Sequence, residues 1–143
     1  MSGDWSTLVY TALQNAGWHD GRRVSTAAWA DALRPSGFLP HPAAEAFLLE
    51  FGGLSVDSRG EGRDVAKMSF DLDPTLAEGQ KGWFESLEGG TAGGLYPIGE
   101  ERDGNASLAI DADGIVHLLF NQRRVPLGPG RQALAWLIEG VRD

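Results

Sequence analysis

The chain has 143 residues, a formal net charge of −8 and no cysteine. These values exclude a disulfide framework and a thiolate metal site, and they argue against direct binding to DNA or RNA, which needs Lys and Arg to neutralise phosphates. No apolar run reaches the ~18–20 residues that span a bilayer. The N-terminus lacks the basic-then-apolar order of a signal peptide. We therefore expect one cytoplasmic domain, residues 1–143, with no membrane contact.

The negative charge is concentrated in the middle of the chain. Residues 1–39 are balanced, residues 40–90 carry ten acids against four bases, and residues 91–143 carry seven acids against five bases. An acidic middle fits a basic protein partner, because opposite electrostatic fields speed encounter. The same charge would also serve solubility alone, so composition leaves both interpretations open.

The first half predicts three helices. Residues 4–16 show helical spacing of apolar positions, with Asp4 as the N-cap. A second helix follows the capping residue Ser25 and ends before Pro35. Pro42 suits the first turn of a third helix, residues 42–51. The apolar residues of this third helix are expected to face the core: Ala43, Ala46, Phe47, Leu48 and Phe51.

A strand pair and a weak helix are predicted next. Residues 54–57 alternate and residues 65–70 form the return strand, with a charged turn at 58–64 between them. Asp73 before Pro74 begins a weak helix that glycines interrupt and that Trp83, Phe84 and Leu87 hold to the core. The glycine-rich run 89–94 is a loop, because no Gly-Lys-Ser/Thr follows it as a phosphate site would require.

The last third predicts strands and a closing helix. A strand contains Tyr96, a hairpin spans 107–119 around Asp111-Ala112-Asp113-Gly114, and a further strand lies near Arg124. A final helix starts at about Pro129. We expect an α+β fold, in which a mostly antiparallel sheet packs against the N-terminal helices and a C-terminal helix closes one side.

No pattern of catalytic or metal-binding chemistry is present in the sequence. The three histidines (19, 41 and 117) have no metal-ligand spacing, and no Ser occupies Gly-x-Ser-x-Gly. The 111–114 segment is similar to part of a calcium loop, but it lacks the remaining ligands and the closing Glu. Glu100 and Glu101 are neighbours in an extended segment, so they point to opposite faces. We therefore expect no catalytic residue, no metal and no cofactor.

The residues that remain are candidates for protein contact. Five tryptophans are many for this length, and Trp83 lies in the acidic region, where it suits an interface anchor. The expected partner is a protein with a basic surface, and the chain itself is expected to be a monomer or a weak dimer. The candidate binding residues are Asp57, Glu61, Asp64, Asp71, Asp73, Glu78, Trp83, Glu85, Glu88, Tyr96, Glu100, Glu101 and Asp111.

Several short motifs follow one another along nearly the whole chain: Ala16-Gly17-Trp18, Arg22-Arg23-Val24, Phe51-Gly52-Gly53-Leu54, Asp73-Pro74, Tyr96-Pro97-Ile98-Gly99-Glu100, Leu108-Ala109-Ile110-Asp111 with Gly114, and Leu137-Ile138-Glu139-Gly140. Each motif alone is weak, whereas their shared order is specific. Together they resemble the SUKH superfamily of immunity proteins, and most closely its third subfamily. One departure is that Ile115-Val116-His117 stands where many such sequences have Val-Tyr.

The resemblance implies a cytoplasmic antidote that binds and neutralises a toxin domain, often a nuclease or a nucleic-acid deaminase, by occlusion and without turnover. An intracellular scaffold or regulatory protein-binding module is the alternative, because distant relatives of the superfamily resemble such modules. A toxin gene directly upstream would favour the first interpretation.

Overall fold

The computed structural model of the chain describes residues 5–58, 69–89, 94–102, 104 and 106–140. Four expectations lie wholly or partly outside these residues: the Asp4 cap, most of the charged turn 58–64, the first part of the return strand 65–70, and most of the 89–94 loop. Glu61 and Asp64, two of the candidate binding residues, also lie outside them.

The described residues form helices around an antiparallel sheet, which confirms the α+β fold. The α-helices are α1 (Thr7–Asn15), α2 (Ala27–Leu33), α3 (Pro42–Phe51), α4 (Lys81–Ser86) and α5 (Gly130–Glu139). Short 3-10 helices cover Arg34–Ser36 and Pro74–Ala77. The strands are β1 (Ser55–Val56), β2 (Phe70–Asp71), β3 (Tyr96–Glu101), β4 (Ser107–Ile110), β5 (Ile115–Phe120) and β6 (Arg123–Pro129).

The six strands pair in chain order, β1 to β6, and every neighbouring pair is antiparallel. The predicted hairpin is confirmed, with Ile110 opposite Val116. Its turn closes through the Gly114 N–H, which donates to the Asp111 carbonyl at 3.0 Å. Gly114 has a φ of +85°, the left-handed conformation that ends a three-residue hairpin loop.

Helix α1 begins later than predicted because its cap is Ser6. The Ser6 hydroxyl accepts a hydrogen bond from the Val9 N–H at 3.4 Å. The helix ends before Gly17, whose φ is +113°, and the Trp18 N–H donates to the Leu13 carbonyl at 2.9 Å.

Helix α3 has the predicted bounds but a different inward stripe. Its buried residues are Ala44, Phe47, Leu48 and Phe51, which follow helical spacing, whereas Ala46 is exposed. The cap is His41, whose Nδ1 accepts from the Ala44 N–H at 3.2 Å.

The buried apolar side chains form one cluster between the helices and the sheet. Helix α5 packs against β5, β6 and α1, while α3 and the Pro74–Ala77 helix contact β3. These helices therefore pack on β3, β5 and β6, and β1 forms one edge of the sheet with β2 beside it. Within the described residues, no helix is long and apolar enough to cross a membrane.

Gly99 of β3 lies close to the backbone of Asp71 and Leu72. A Cβ added there would lie 2.3 Å from the Asp71 carbonyl oxygen and 2.9 Å from the Leu72 Cα. The register of β3 against β4 also shifts between Pro97 and Gly99, which is the signature of a bulge. A side chain at this position therefore has to push backbone aside.

We expect Gly99→Ala to lower the free energy of unfolding by about 1–3 kcal/mol, the usual cost of overpacking. Gly82→Ala is the matched control, because it lies in α4 with nothing within 4 Å of an added Cβ. There Ala should stabilise by roughly 0.5–1 kcal/mol through helix propensity. Urea unfolding checks both, and equal stabilities of the wild type and Gly99→Ala would contradict the close approach.

Candidate protein-binding site

The register of the sheet brings distant polar residues into one row. Asp71 of β2 lies opposite Ser55 of β1 on one side and opposite Glu100 of β3 on the other. Glu100 in turn lies opposite Ser107 of β4. Directly opposed residues in antiparallel strands share one face, with Cβ atoms about 4.5–5.5 Å apart. Residues far apart in sequence therefore form a continuous polar strip.

Asp57 and Arg102 extend this strip at its β1 end. One guanidinium nitrogen of Arg102 donates to Asp57, and the other donates to Asp71 Oδ1 at 3.2 Å and to the Val56 carbonyl at 3.2 Å. The pKa of Arg102 is raised above its usual value, chiefly by the hydrogen bond to Asp57. The Ser55 hydroxyl also donates to Asp71.

Glu100 differs from these residues because its carboxylate makes no hydrogen bond or ion pair with any described residue. Partial burial raises its pKa, and the charges of Asp71 and Glu101 raise it further. Like charges directly opposite across a strand pair destabilise the sheet. Glu100 and Asp71 thus create a negative electrostatic potential. Arg102 offsets the charge of Asp71 but not that of Glu100.

We use the term acidic face for three carboxylates and one neighbour at their border: Asp57, Asp71 and Glu100, with Asp73 beside them. Asp73 caps the Pro74–Ala77 helix, where its Oδ1 accepts from the Thr75 N–H at 3.0 Å. Surface depressions lie on both sides of the Asp71–Glu100 pair. One, of about 350 Å³, has Trp29, Ser55, Asp71, Asp73 and Leu76 in its lining.

The second depression, named the Trp83 pocket, has a volume of about 390 Å³. It is lined by Gln80, Trp83, Glu100, Gly104, Ala106 and Ser107. Trp83 is half-buried and is fixed by its indole N–H, which donates to the Asn121 carbonyl at 3.1 Å. A predicted anchor residue and a predicted carboxylate therefore line the same pocket.

The other predicted carboxylates lie around these features. Glu78 and Glu85 are exposed, and Glu101 follows Glu100 on β3, opposite Phe70. Glu88 is partly buried, and its Oε2 accepts from the Leu95 N–H at 3.0 Å. Lys81 lies 3.8 Å from Glu88 and 3.9 Å from Glu85, so these two acids are partly offset.

Two candidate binding residues are buried, which corrects the expectation that they offer side chains at the surface. Tyr96 is 2% exposed and packs edge-on to Phe38, with ring centroids 6.2 Å apart. Asp111 is 5% exposed and is turned into its own hairpin. Neither side chain belongs to the acidic face.

Asp111 organises a buried polar network. Its Oδ1 accepts from the backbone N–H groups of Asp113 and Ile115, at 2.9 and 3.1 Å, and its Oδ2 lies 2.9 Å from His117 Nε2. A guanidinium nitrogen of Arg124 lies 3.3 Å from His117 Nδ1 and can only donate a hydrogen bond. In the neutral imidazole, Nδ1 is therefore the acceptor and Nε2, which faces Asp111, carries the hydrogen. Burial alone raises the pKa of Asp111, but these hydrogen bonds outweigh burial, and the pKa lies below its usual value.

An apolar depression lies elsewhere, and none of the candidate binding residues is in its lining. Its volume is about 750 Å³, and Trp5, Phe47 and Phe51 contribute to its lining, between α3 and α5. Arg131 covers Trp5 at 4.0 Å from the ring centroid and pairs with Glu50 at 3.0 Å. The charged groups at this groove therefore neutralise each other.

Sequence reasoning missed the polar residues that complete the site: Ser55, Gln80, Arg102 and Ser107. No local motif marks them, because their importance comes from strand register and from the packing of α4. Within the described ranges, no group of three or more His, Asp or Glu residues could hold a metal ion.

The described residues define an α+β protein whose antiparallel sheet carries a row of carboxylates. A family model described as SUKH-3 immunity protein matches residues 5–140, and the chain belongs to that family. The resemblance drawn from the motifs is thereby confirmed, and the family implies toxin neutralisation. Comparisons with curated proteins and with solved structures gave no significant match.

The Asp111 network gives a pH-dependent prediction. A carboxyl whose pKa is lower in the folded than in the unfolded chain stabilises the fold above its unfolded pKa, about 3.9. That contribution is lost as pH falls through the folded pKa. We expect Asp111→Asn to lower the free energy of unfolding at pH 7 by about 1–3 kcal/mol. The difference in the free energy of unfolding between Asp111→Asn and wild type should narrow below about pH 4.

Urea unfolding over a pH series measures this gap. Asp113→Asn removes the same charge from an exposed neighbour in the same turn and should change stability by no more than about 0.5 kcal/mol. A gap for Asp111→Asn that is constant from pH 7 to pH 2 would show that its charged form does not stabilise the hairpin.

Proposed function

We propose that the chain neutralises a nuclease or nucleic-acid deaminase toxin by placing the acidic face over the basic surface that holds the toxin's substrate. The family membership implies neutralisation of a toxin; the kind of toxin, the surface and occlusion without turnover are our proposal. The protein would act in the cytoplasm of the cell that it protects.

The observation that carries the proposal is the acidic face itself. Asp57, Asp71 and Glu100 come from three strands, and Asp73 lies beside them. Arg102 offsets only part of this charge, and Glu100 has no partner among the described residues. Such a surface attracts a positively charged partner and repels nucleic acid.

The type of toxin follows from the same electrostatics. An enzyme that acts on a nucleic acid must hold a polyanion, so its substrate surface carries Lys and Arg. A carboxylate-rich face can occupy that surface in place of the phosphates. Occupation excludes the substrate, so inhibition requires no catalytic group on the immunity protein.

A scaffold or regulatory module remains the alternative from another class. It would bind a housekeeping partner and would not protect cells from a toxin. Co-expression separates the two functions: the toxin encoded beside this chain should be lethal alone and tolerated with the chain. Failure to protect, together with failure to co-purify with that toxin, would favour the alternative.

Charge steering makes a kinetic prediction for the complex. Replacing Asp57 and Asp73 by Asn keeps side-chain size and the Asp73 cap geometry but removes two charges. We expect slower association with the toxin at 0.1 M salt, where the Debye length is about 10 Å, and convergence with wild type at 1 M, where it is about 3 Å. Stopped-flow mixing at the two salt concentrations measures both rates.

The matched control removes two exposed charges that are not on the acidic face, through Asp20→Asn and Asp113→Asn. This control variant changes the net charge by the same amount as the Asp57/Asp73 variant, and its association rate should be closer to that of wild type. Equal slowing in the two double variants would assign the effect to net charge, and no slowing in either would place the interface elsewhere.

A further inference from the structure

The Trp83 pocket contains polar side chains that have no partner within the described part of the chain. Ser107 is only 6% exposed, yet its hydroxyl makes no hydrogen bond with a described residue. The side chains of Gln80 and Glu100 also lack such partners. The Ser107 oxygen is not fully enclosed, and because Ser107 lines the pocket, this hydroxyl is available to hydrogen-bond a ligand group that binds there.

The chemistry of the pocket selects a cation. Glu100 supplies a carboxylate, Gln80 an amide oxygen and Ser107 a hydroxyl oxygen, all of which accept hydrogen bonds. Asp71 lies opposite Glu100, and Asp71 and Asp57 together outweigh the single positive charge of Arg102. The nearby guanidinium of Arg102 is held by Asp57 and Asp71 and so does not neutralise Glu100.

The aromatic lining of the pocket favours a planar cation over a compact one. Trp83 lines the pocket and is held in place through Asn121, so its ring offers a fixed aromatic surface. A guanidinium stacks on such a ring and presents five donors, whereas an ammonium is more strongly hydrated and acts as a point charge. The volume of about 390 Å³ is within the range of ligand pockets and admits one long side chain.

We propose that the Trp83 pocket binds the guanidinium group of one arginine side chain of the partner. That the partner is the toxin rests on the proposed function above; that the pocket accepts a guanidinium group does not. Because this arginine would be desolvated between Trp83 and Glu100, it should act on the dissociation rate of the complex, whereas the rim charge Asp57 acts on association.

The first experiment uses methylguanidinium as the probe and the whole chain as the target. In an NMR titration at constant ionic strength, the Trp83 indole and Ser107 amide signals should shift and saturate. Methylammonium should bind more weakly. Glu100→Gln should weaken methylguanidinium binding roughly tenfold, the effect of losing one charge-assisted hydrogen bond. Ser107→Ala should weaken it less.

Glu78→Gln is the matched control, because it removes the same charge from an exposed glutamate outside the pocket lining. Its titration should follow the wild-type curve, and thermal melting should confirm that every variant is folded. Shifts that do not saturate, or equal affinities in the wild type and Glu100→Gln, would overturn the guanidinium site.

The second experiment measures dissociation of the toxin complex, and it separates the two proposals. Faster dissociation for Glu100→Gln but not for Glu78→Gln supports an arginine of the toxin in the pocket. If Glu100→Gln forms the complex and its dissociation rate equals that of wild type, no arginine of the toxin occupies the pocket, and the proposal of toxin neutralisation is unaffected. Saturable binding of methylguanidinium by a chain that does not bind the toxin would keep the pocket and overturn the proposed function.

Discussion

The pairing of β2 with β3 is the constraint on which the candidate site depends. It sets Asp71 directly opposite Glu100, an arrangement that the sheet alone disfavours because the two charges repel. The pairing is fixed by close backbone approach at Gly99, where an added Cβ would meet the Asp71 carbonyl at 2.3 Å. Packing therefore holds two carboxylates side by side that would move apart if the register of β2 against β3 could change.

The rest of the architecture supports this end of the sheet. Helices α3 and α5 and the buried cluster anchor the strands, while α4 sets Trp83 beside the polar row. The Asp111–His117 contact fixes the β4–β5 hairpin, and β4 in turn carries Ser107 to its place opposite Glu100. The structural role of Asp111 and the binding role proposed for Glu100 are thus linked through one strand.

Local sequence signals predicted most of the fold and some of the site. Pro42 and the Asp111–Gly114 turn determine their elements through nearby residues alone, so α3 and the hairpin agree with prediction. The row from Ser55 to Ser107 depends on strand register, which no local pattern encodes. The sequence predicts Tyr96 as a binding residue, whereas its side chain lies in the core, because one short strand interrupted by proline does not reveal which face is buried.

Carboxyl labelling of the free protein and of its toxin complex tests the central claim most directly. A carbodiimide-coupled amine modifies accessible carboxylates, and mass spectrometry locates them. If the acidic face is the interface, Asp57, Asp73 and Glu100 should be protected in the complex, while Asp20 and Asp113 should be labelled as in the free chain. Unchanged labelling of the acidic face, with protection appearing at Glu50 beside the apolar groove, would contradict the account.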